Sequence, residues 1–287
     1  MKINADTHTR SAQPTWPRAL FIGLSVLLPI LATHAVAAGP SLEEAWELNR
    51  MLEFNEAEKW LREHDPETEE DQSRTAFSRA ITLLSVQPRT TGNIEEADRL
   101  LGNIVASEAV SELIAWSLYY QGRIDQLHLV KPDPASALKH YGDLIFRFPD
   151  HIAAQLGFIK SGIIRLYAAP GEGRPVATLA SLENEAGFLS SPFAKNQFHR
   201  LMADGYLFFD LSRERALEHL LAARALGSFE IIDLGGDYLR MANIAYELGR
   251  RDLARKNYRK YLEMRPKSNA TYLVRERIEE LGEGRLE

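Results

Sequence analysis

Small and large apolar residues recur along the chain at a period of about forty residues. Alanine stands at six positions, separated by 40, 40, 40, 39 and 38 residues: 57, 97, 137, 177, 216 and 254. Four residues later the side chain is large and apolar in five units: Leu61, Leu101, Tyr141, Leu220 and Tyr258. The fourth unit has Ser181 there. Because positions i and i+4 share one helix face, each alanine is predicted to begin an amphipathic helix that a neighbouring helix approaches closely.

Turn-forming residues separate these helices from a second set of helical runs. The turns are predicted at Asn55, Gly92-Asn93, Pro132-Asp133-Pro134, residues 170–173, Asp210 and Gly249, and between helices at Pro149-Asp150, Ser191-Pro192 and Pro266. No run alternates at period two in the manner of a strand. The pattern predicts an all-α protein, an α-solenoid of about six helix-turn-helix hairpins over residues 41–282 with a short tail at 283–287.

The last unit resembles a tetratricopeptide repeat. The residues at that family's spacing of large, small and turn positions are Tyr238, Met241, Ala242, Ala245, Gly249, Ala254, Tyr258 and Pro266. Tyr261 stands where the family has alanine. The third unit is similar through Gly122, Ala137, Tyr141, Leu144 and Pro149, with extra residues before its second helix. The other units match loosely, and related helical-hairpin repeats of about forty residues remain open for the middle.

The resemblance implies a binding surface. In tetratricopeptide arrays the first helix of each hairpin lines a groove that holds peptides or helices, which in the last unit indicates Leu239, Asn243, Tyr246 and Glu247. Leu239 replaces the lysine of members that bind a carboxylate, so that mode is not expected. Aromatic residues on other first helices are expected to be core, with binding anchors as the alternative: Trp116, Tyr119, Tyr120, Phe158, Phe208 and Phe209.

The first 38 residues follow a different pattern. A polar start carrying Lys2, Arg10 and Arg18 precedes an uncharged apolar run from Ala19 to Ala32, and small residues follow at 35–39. This order predicts a secretory signal peptide cleaved after residue 37 or 38. The alternative is an uncleaved anchor, because residues 19–38 are just long enough to span a membrane. Either places the body of the protein in the periplasm, with membrane contact only if the segment is retained.

Composition excludes several kinds of chemistry. The chain has no cysteine, which removes disulfides, thiolate metal sites and cysteine nucleophiles. Its formal net charge of −6 argues against nucleic acid as a partner. Residues 1–38 carry three basic groups and one acid, so the rest of the chain carries −8. The histidines are scattered, with no metal-ligand spacing, and no nucleophile elbow or phosphate-binding loop occurs. No cofactor and no metal are expected.

Two charged stretches stand out. Six carboxylates fall between Glu63 and Asp71, which we interpret as a solvated linker, with weak calcium binding as the alternative. Near the C-terminus, basic residues spaced by four form ridges on one helix: Arg251, Arg255, Lys256, Arg259 and Lys260. A solvated face partly neutralised by the acidic C-terminal stretch accounts for them. The alternative is a docking face for an anionic partner or lipid headgroups.

The sequence therefore predicts a non-catalytic scaffold for a protein or peptide partner in the bacterial cell envelope. Two other functions stay open. One is a cell-wall glycan hydrolase, for which Asp204 and Asp210 or the Glu63–Asp71 stretch would supply paired carboxylates. The other is a membrane-tethered adaptor.

Overall fold

The computed structural model describes residues 42–107, 109–168, 175–227 and 234–282, which belong to one unit, Ala38–Glu287. The predicted signal peptide and the 283–287 tail lie outside the described residues. Thirteen α-helices and no strand occur in the described ranges. None of these helices is both long and apolar enough to cross a membrane.

Twelve of the helices form six hairpins, each a first helix followed by a second. In chain order they are α1 Glu43–Arg50, α2 Phe54–Glu63, α3 Glu69–Leu83, α4 Thr91–Ala106, α5 Ser111–Arg123, α6 Pro134–Arg147, α7 Ile152–Ile163, α8 Pro175–Glu185, α9 Pro192–Phe208, α10 Arg213–Ala225, α11 Leu234–Glu247 and α12 Arg251–Met264. A thirteenth, α13 Thr271–Glu280, follows the last hairpin. Helices α5 and α7 continue into single π-helical turns, Ile124–His128 and Ile164–Ala168.

First helices of the first five hairpins pack directly on one another. Helix α1 contacts α3, α3 contacts α5, α5 contacts α7 and α7 contacts α9, while each second helix lies between its own first helix and the next one along most of the stack. Contacts that join only near neighbours along the chain are typical of a solenoid. The predicted all-α array of hairpins is confirmed.

The core repeats the packing that the sequence predicts. Five of the six alanines are fully buried in second helices: Ala57, Ala97, Ala137, Ala216 and Ala254. The large residues four positions later in those helices are buried with them. A small residue lets the neighbouring backbone approach, and the large residue one turn later fills the space between the helices.

The fourth unit departs from this pattern, and the prediction for Ala177 is wrong, because Ala177 is exposed. Leu179 and Leu182 are the buried residues of α8. The small residues lie on the first helices instead. A Cβ on Gly162 of α7 would meet Leu182 at 3.2 Å, and a Cβ on Gly205 of α9 would meet Leu179 at 2.8 Å. Glycine on the opposing helices therefore takes the place of alanine on the second helix.

The predicted turn at residues 170–173 lies outside the described residues. Most of the other predicted turns occur where expected, and two are displaced. Gly249, between α11 and α12, has a φ of +68°, a conformation that glycine adopts without strain. Asp133 caps α6 by accepting from the backbone N–H groups of residues 135 and 136. Gly92 and Asn93 instead lie inside the first turn of α4, because Thr90 caps that helix two residues earlier. Asn55 likewise lies inside α2.

A pair of glycine substitutions tests the helix packing. A Cβ on Gly122 of α5 would lie 2.5 Å from the ring of Tyr141, whereas a Cβ on Gly142 of α6 would meet nothing within 4 Å. Gly122→Ala should lower the free energy of unfolding by about 1–3 kcal/mol through overpacking. Gly142→Ala should raise it by about 0.5–1 kcal/mol through helix propensity. Urea denaturation measures both, and an unchanged Gly122→Ala variant would contradict the described contact.

Candidate functional site

The four residues that the resemblance indicates in the last hairpin all lie on its first helix, α11. Their spacing places them along one side of that helix. Leu239 is half-buried and packs against the C-terminal core cluster. Asn243 and Tyr246 are also half-buried, and Glu247 is exposed. The four residues therefore share one side of α11, on which Glu247 is the most accessible.

Asn243 is held by neighbouring helices. Its Oδ1 accepts hydrogen bonds from Tyr258 Oη of α12 at 2.8 Å and from Arg277 Nη1 of α13 at 3.2 Å. Arg277 also donates to Tyr258 Oη at 2.9 Å. The side-chain oxygen of Asn243, a residue that the resemblance places on the groove, is thus used inside the fold. The Asn243 amide N–H groups have no partner among the described residues.

Tyr246 and Glu247 are engaged as well. Tyr246 Oη donates to Glu280 Oε2 at 2.6 Å, and the Arg277 guanidinium lies 4.7 Å from the Tyr246 ring centroid. The hydrogen bond to Glu280 is the main reason that the pKa of Tyr246 is raised above its ordinary value. Glu247 accepts from Arg213 Nε of α10 at 2.8 Å. Helix α13 therefore covers one end of the surface and leaves Glu247 at the open edge.

The neighbouring first helices extend this surface. Arg200 of α9 pairs with Asp237 of α11, and Arg240 of α11 pairs with Asp204 of α9. These residues face each other across the contact between two first helices. Asp204 is well exposed and Arg240 is half-buried. We call the side formed by α9, α11 and α13 the first-helix surface. The repeat pattern of the sequence does not indicate these ion pairs.

The predicted basic docking face is only partly a surface. Arg255 is 6% exposed, and its Nη2 donates to the Leu281 carbonyl oxygen at 2.9 Å. Arg251 Nη2 approaches the Glu280 and Leu281 carbonyl oxygens at 3.3 and 3.4 Å. Carbonyls at a helix C-terminus lack intrahelical donors and carry the negative end of the helix dipole. Arg255 therefore fastens the end of α13 and is not part of a docking face.

Arg251 is itself exposed, and three further basic residues of the ridge lie toward solvent. Lys256 is exposed and Arg259 is half-buried. Lys260 is exposed and donates to Glu263 at 2.7 Å, which raises the pKa of its ammonium group. This smaller patch is mostly a solvated helix side.

The acidic stretch takes part in a helix start. Thr68 precedes the first residue of α3, and its Oγ1 accepts a hydrogen bond from the Asp71 backbone N–H at 3.1 Å. The Asp71 side chain lies 3.3 Å from His64 Nε2. Glu69, Glu70 and Asp71 occupy the first turn of α3, where carboxylates are favourable. Within the described ranges, no group of three or more His, Asp or Glu residues is placed to hold a metal ion.

The aromatic residues of the first helices divide between core and surface. Trp116, Tyr119, Tyr120 and Phe158 are buried, as the core interpretation predicts. Phe208 at the end of α9 is 55% exposed. Its ring contacts Tyr167 and Phe209, with centroids 5.2 and 4.9 Å apart.

Sequence reasoning missed one polar cluster that joins α8, α9 and α10. His219 Nδ1 lies 2.9 Å from His199 Nδ1, and His219 Nε2 lies 3.1 Å from Glu183 Oε1. Arg215 donates to the same carboxylate oxygen at 2.6 Å. Burial lowers the pKa of both histidines. Burial alone would raise the pKa of Glu183, but the hydrogen bonds from His219 and Arg215 outweigh it and lower this pKa.

These histidines share a chain of hydrogen bonds that suits neutral imidazoles. His199 Nδ1–H can donate to His219 Nδ1 while His219 Nε2–H donates to Glu183. The cluster links the fourth and fifth hairpins. The one sequence signal is spacing, because Glu183 and His219 are 36 residues apart, close to the repeat period.

Comparison with known proteins gives a likeness of fold. A solved structure similar to this chain is a thermophilic tetratricopeptide-repeat protein of Thermus thermophilus, with a TM-score of 0.43 and 20% sequence identity over 73% of this chain and 98% of that one. No protein-family description and no curated protein matches the sequence. The assignment to an all-α array of hairpins rests on the helices of the chain itself.

Two adjacent substitutions test the corrected role of the basic ridge. Arg255→Ala removes a charged donor from the Leu281 carbonyl and should lower the free energy of unfolding by about 1.5–3 kcal/mol. Lys256→Ala removes the same formal charge from an exposed site and should change it by at most about 0.5 kcal/mol. Urea denaturation of both variants gives the comparison, and equal losses would show that Arg255 does not fasten α13.

Proposed function

We propose that this chain is a non-catalytic scaffold that binds a protein or peptide of the bacterial cell envelope along its first-helix surface. The observation that carries the proposal is the row of first helices: those of the first five hairpins stack directly, and side-chain bonds then join α9 to α11 and α11 to α13. Such stacking creates an extended surface without a catalytic centre. Repeat arrays use surfaces of this kind to bind extended partners.

The exposed groups of the surface suit a polar partner segment. Asp204, Arg240 and Glu247 have side chains that are between about one-third and one-half exposed, and each is already oriented by an ion pair. A partner can exchange its own charged or amide groups for these bonds. Exposed ion pairs contribute little stability, so opening them costs little.

The carboxylates considered for glycan hydrolysis do not favour that function. Asp204 pairs with Arg240, and Asp210 pairs with Arg213 at 2.8 Å. Both carboxylates are well exposed, so neither has the enclosed environment that keeps a general acid protonated near neutral pH. Interaction remains the better supported function.

The envelope location rests on the sequence of residues 1–38. We propose that this segment directs export and is then removed, so that the hairpin array works in the periplasm. The absence of cysteine leaves stability to helix packing there.

Mass spectrometry of the mature chain tests export. The N-terminus should be Ala38 or Gly39, in a periplasmic fraction of the cells that produce the protein. A chain that still begins at Met1 and sediments with membranes would contradict cleavage and favour the tethered adaptor. A chain that begins at Met1 in the cytoplasm would contradict export altogether.

Site-specific photo-crosslinking in intact cells tests the binding surface. Glu247 of α11 and Glu218 of the second helix α10 are matched positions, because each pairs with an arginine and has a side chain 53% or 52% exposed. A crosslinking amino acid at position 247 should give a discrete adduct with a partner protein, and one at position 218 should give little or none.

The reverse pattern, or equal labelling at the two positions, would contradict binding along the first helices. Thermal unfolding of both crosslinker variants controls for misfolding.

A further inference from the structure

A second group of polar side chains lies between α5 and α7, away from the surface described above. Arg123, the last residue of α5, is 5% exposed, and Lys160 of α7 is half-buried. Tyr141 of α6 brings the two helices together, because its ring lies against Gly122 of α5 and Gly157 of α7. Two cations are therefore held near one another inside the stack.

These cations have no carboxylate partner among the described residues. Arg123 Nη1 donates to the neutral amide oxygen of Gln126 at 3.3 Å, and neither Arg123 nor Lys160 forms an ion pair within the described ranges. Asp125, the nearest acid in sequence, pairs instead with His140 at 2.9 Å. A buried charge without a counter-charge is costly, and proteins normally pair it.

The pKa of Lys160 shows that the positive charges of Arg123 and Lys160 are poorly compensated. Burial, followed by the positive charge of Arg123, lowers the pKa of Lys160 to about 7. In the part of the chain that the structure describes, no negative group acts on Lys160 in the opposite direction. An anion placed here would favour the charged ammonium form.

Two further polar side chains lie near Arg123. Tyr119 Oη and His128 Nδ1 are buried and have no hydrogen-bond partner among the described residues. Both side chains interact electrostatically with Arg123. Burial, together with the charges of Arg89 and Arg123, lowers the pKa of His128 to about 4, so its imidazole is neutral near pH 7. Its ring can then donate a hydrogen bond.

The backbone around this cluster is also irregular. Gln126 and His128 lie in the π-helical turn that follows Arg123. Single π turns inside α-helices occur frequently at functional sites. The turn places Gln126, His128 and Arg123 close together at the end of one helix.

We propose that Arg123 and Lys160 form a binding site for a small oxyanionic group, a carboxylate or a sulfate- or phosphate-like group. The guanidinium supplies paired N–H donors and the ammonium supplies a point charge. The group can come from the side chain or terminus of a bound polypeptide or from a free anion. The site is independent of the first-helix scaffold proposal, because the purified chain alone tests it.

The experiment measures the thermal unfolding of the purified full chain in low-millimolar sodium sulfate, in sodium acetate and in sodium chloride at matched ionic strength. Sulfate, acetate or both should raise the midpoint saturably beyond chloride. A response to acetate indicates a carboxylate ligand, and a response to sulfate alone indicates a tetrahedral oxyanion. No shift beyond chloride with either anion would overturn the site.

Lys160→Met and Lys139→Met complete the design. Lys139 lies on α6 and is exposed, so its loss should leave both the midpoint and the anion response unchanged. Lys160→Met should raise the midpoint without anion, since it removes an uncompensated charge, and should weaken anion binding at least about tenfold.

A structural role for Lys160 at the end of α7 predicts the opposite result. Lys160→Met would then lower the midpoint and leave the anion response intact, which would overturn the proposal.

Discussion

The structure depends on the close packing of a small residue on one helix against a large residue on its neighbour. In five hairpins the small residue is an alanine of the second helix, fully buried, with its large companion one turn later. This contact fixes how near two helices lie and where along their lengths they meet. When it is repeated every forty residues, it brings the first helices into a row. The first-helix surface is a consequence of that row.

The exceptional fourth hairpin shows that the constraint concerns volume at the contact and not residue identity. Gly162 and Gly205 supply the small side of the contact from the first helices, and Leu182 and Leu179 supply the large side from α8. The stack continues through this unit although its alanine is exposed. The alanine period of the second helices therefore predicts the position of α8 correctly, but it predicts the wrong buried residue in that helix.

The repeat pattern predicts more of the fold than of the candidate sites. Periodicity identifies which residues of a helix face a neighbour, and it was sufficient for Ala137, Tyr141 and Leu144. It does not show which helix supplies that neighbour. The spacing of Arg251 and Arg255 is typical of a solvated helix face, yet both side chains contact carbonyl oxygens at the C-terminus of α13. Arg277 of the same helix donates a hydrogen bond to Asn243 Oδ1.

Clusters whose residues come from several hairpins could not be predicted from the sequence for a related reason. Glu183, His199 and His219 come from three helices, and Arg123 and Lys160 come from two hairpins. None of these residues belongs to a local motif. The lack of a counter-charge near Arg123 among the described residues depends on how several helices are arranged around it.

Hydrogen–deuterium exchange of the chain, free and in complex with its crosslinked partner, is the most direct test of the central claim that first helices form the binding surface. If first helices form that surface, amide exchange in α9 and α11 should be slower in the complex, with the second helices α10 and α12 unchanged. Protection confined to α10 and α12, or no change in any first helix, would contradict it.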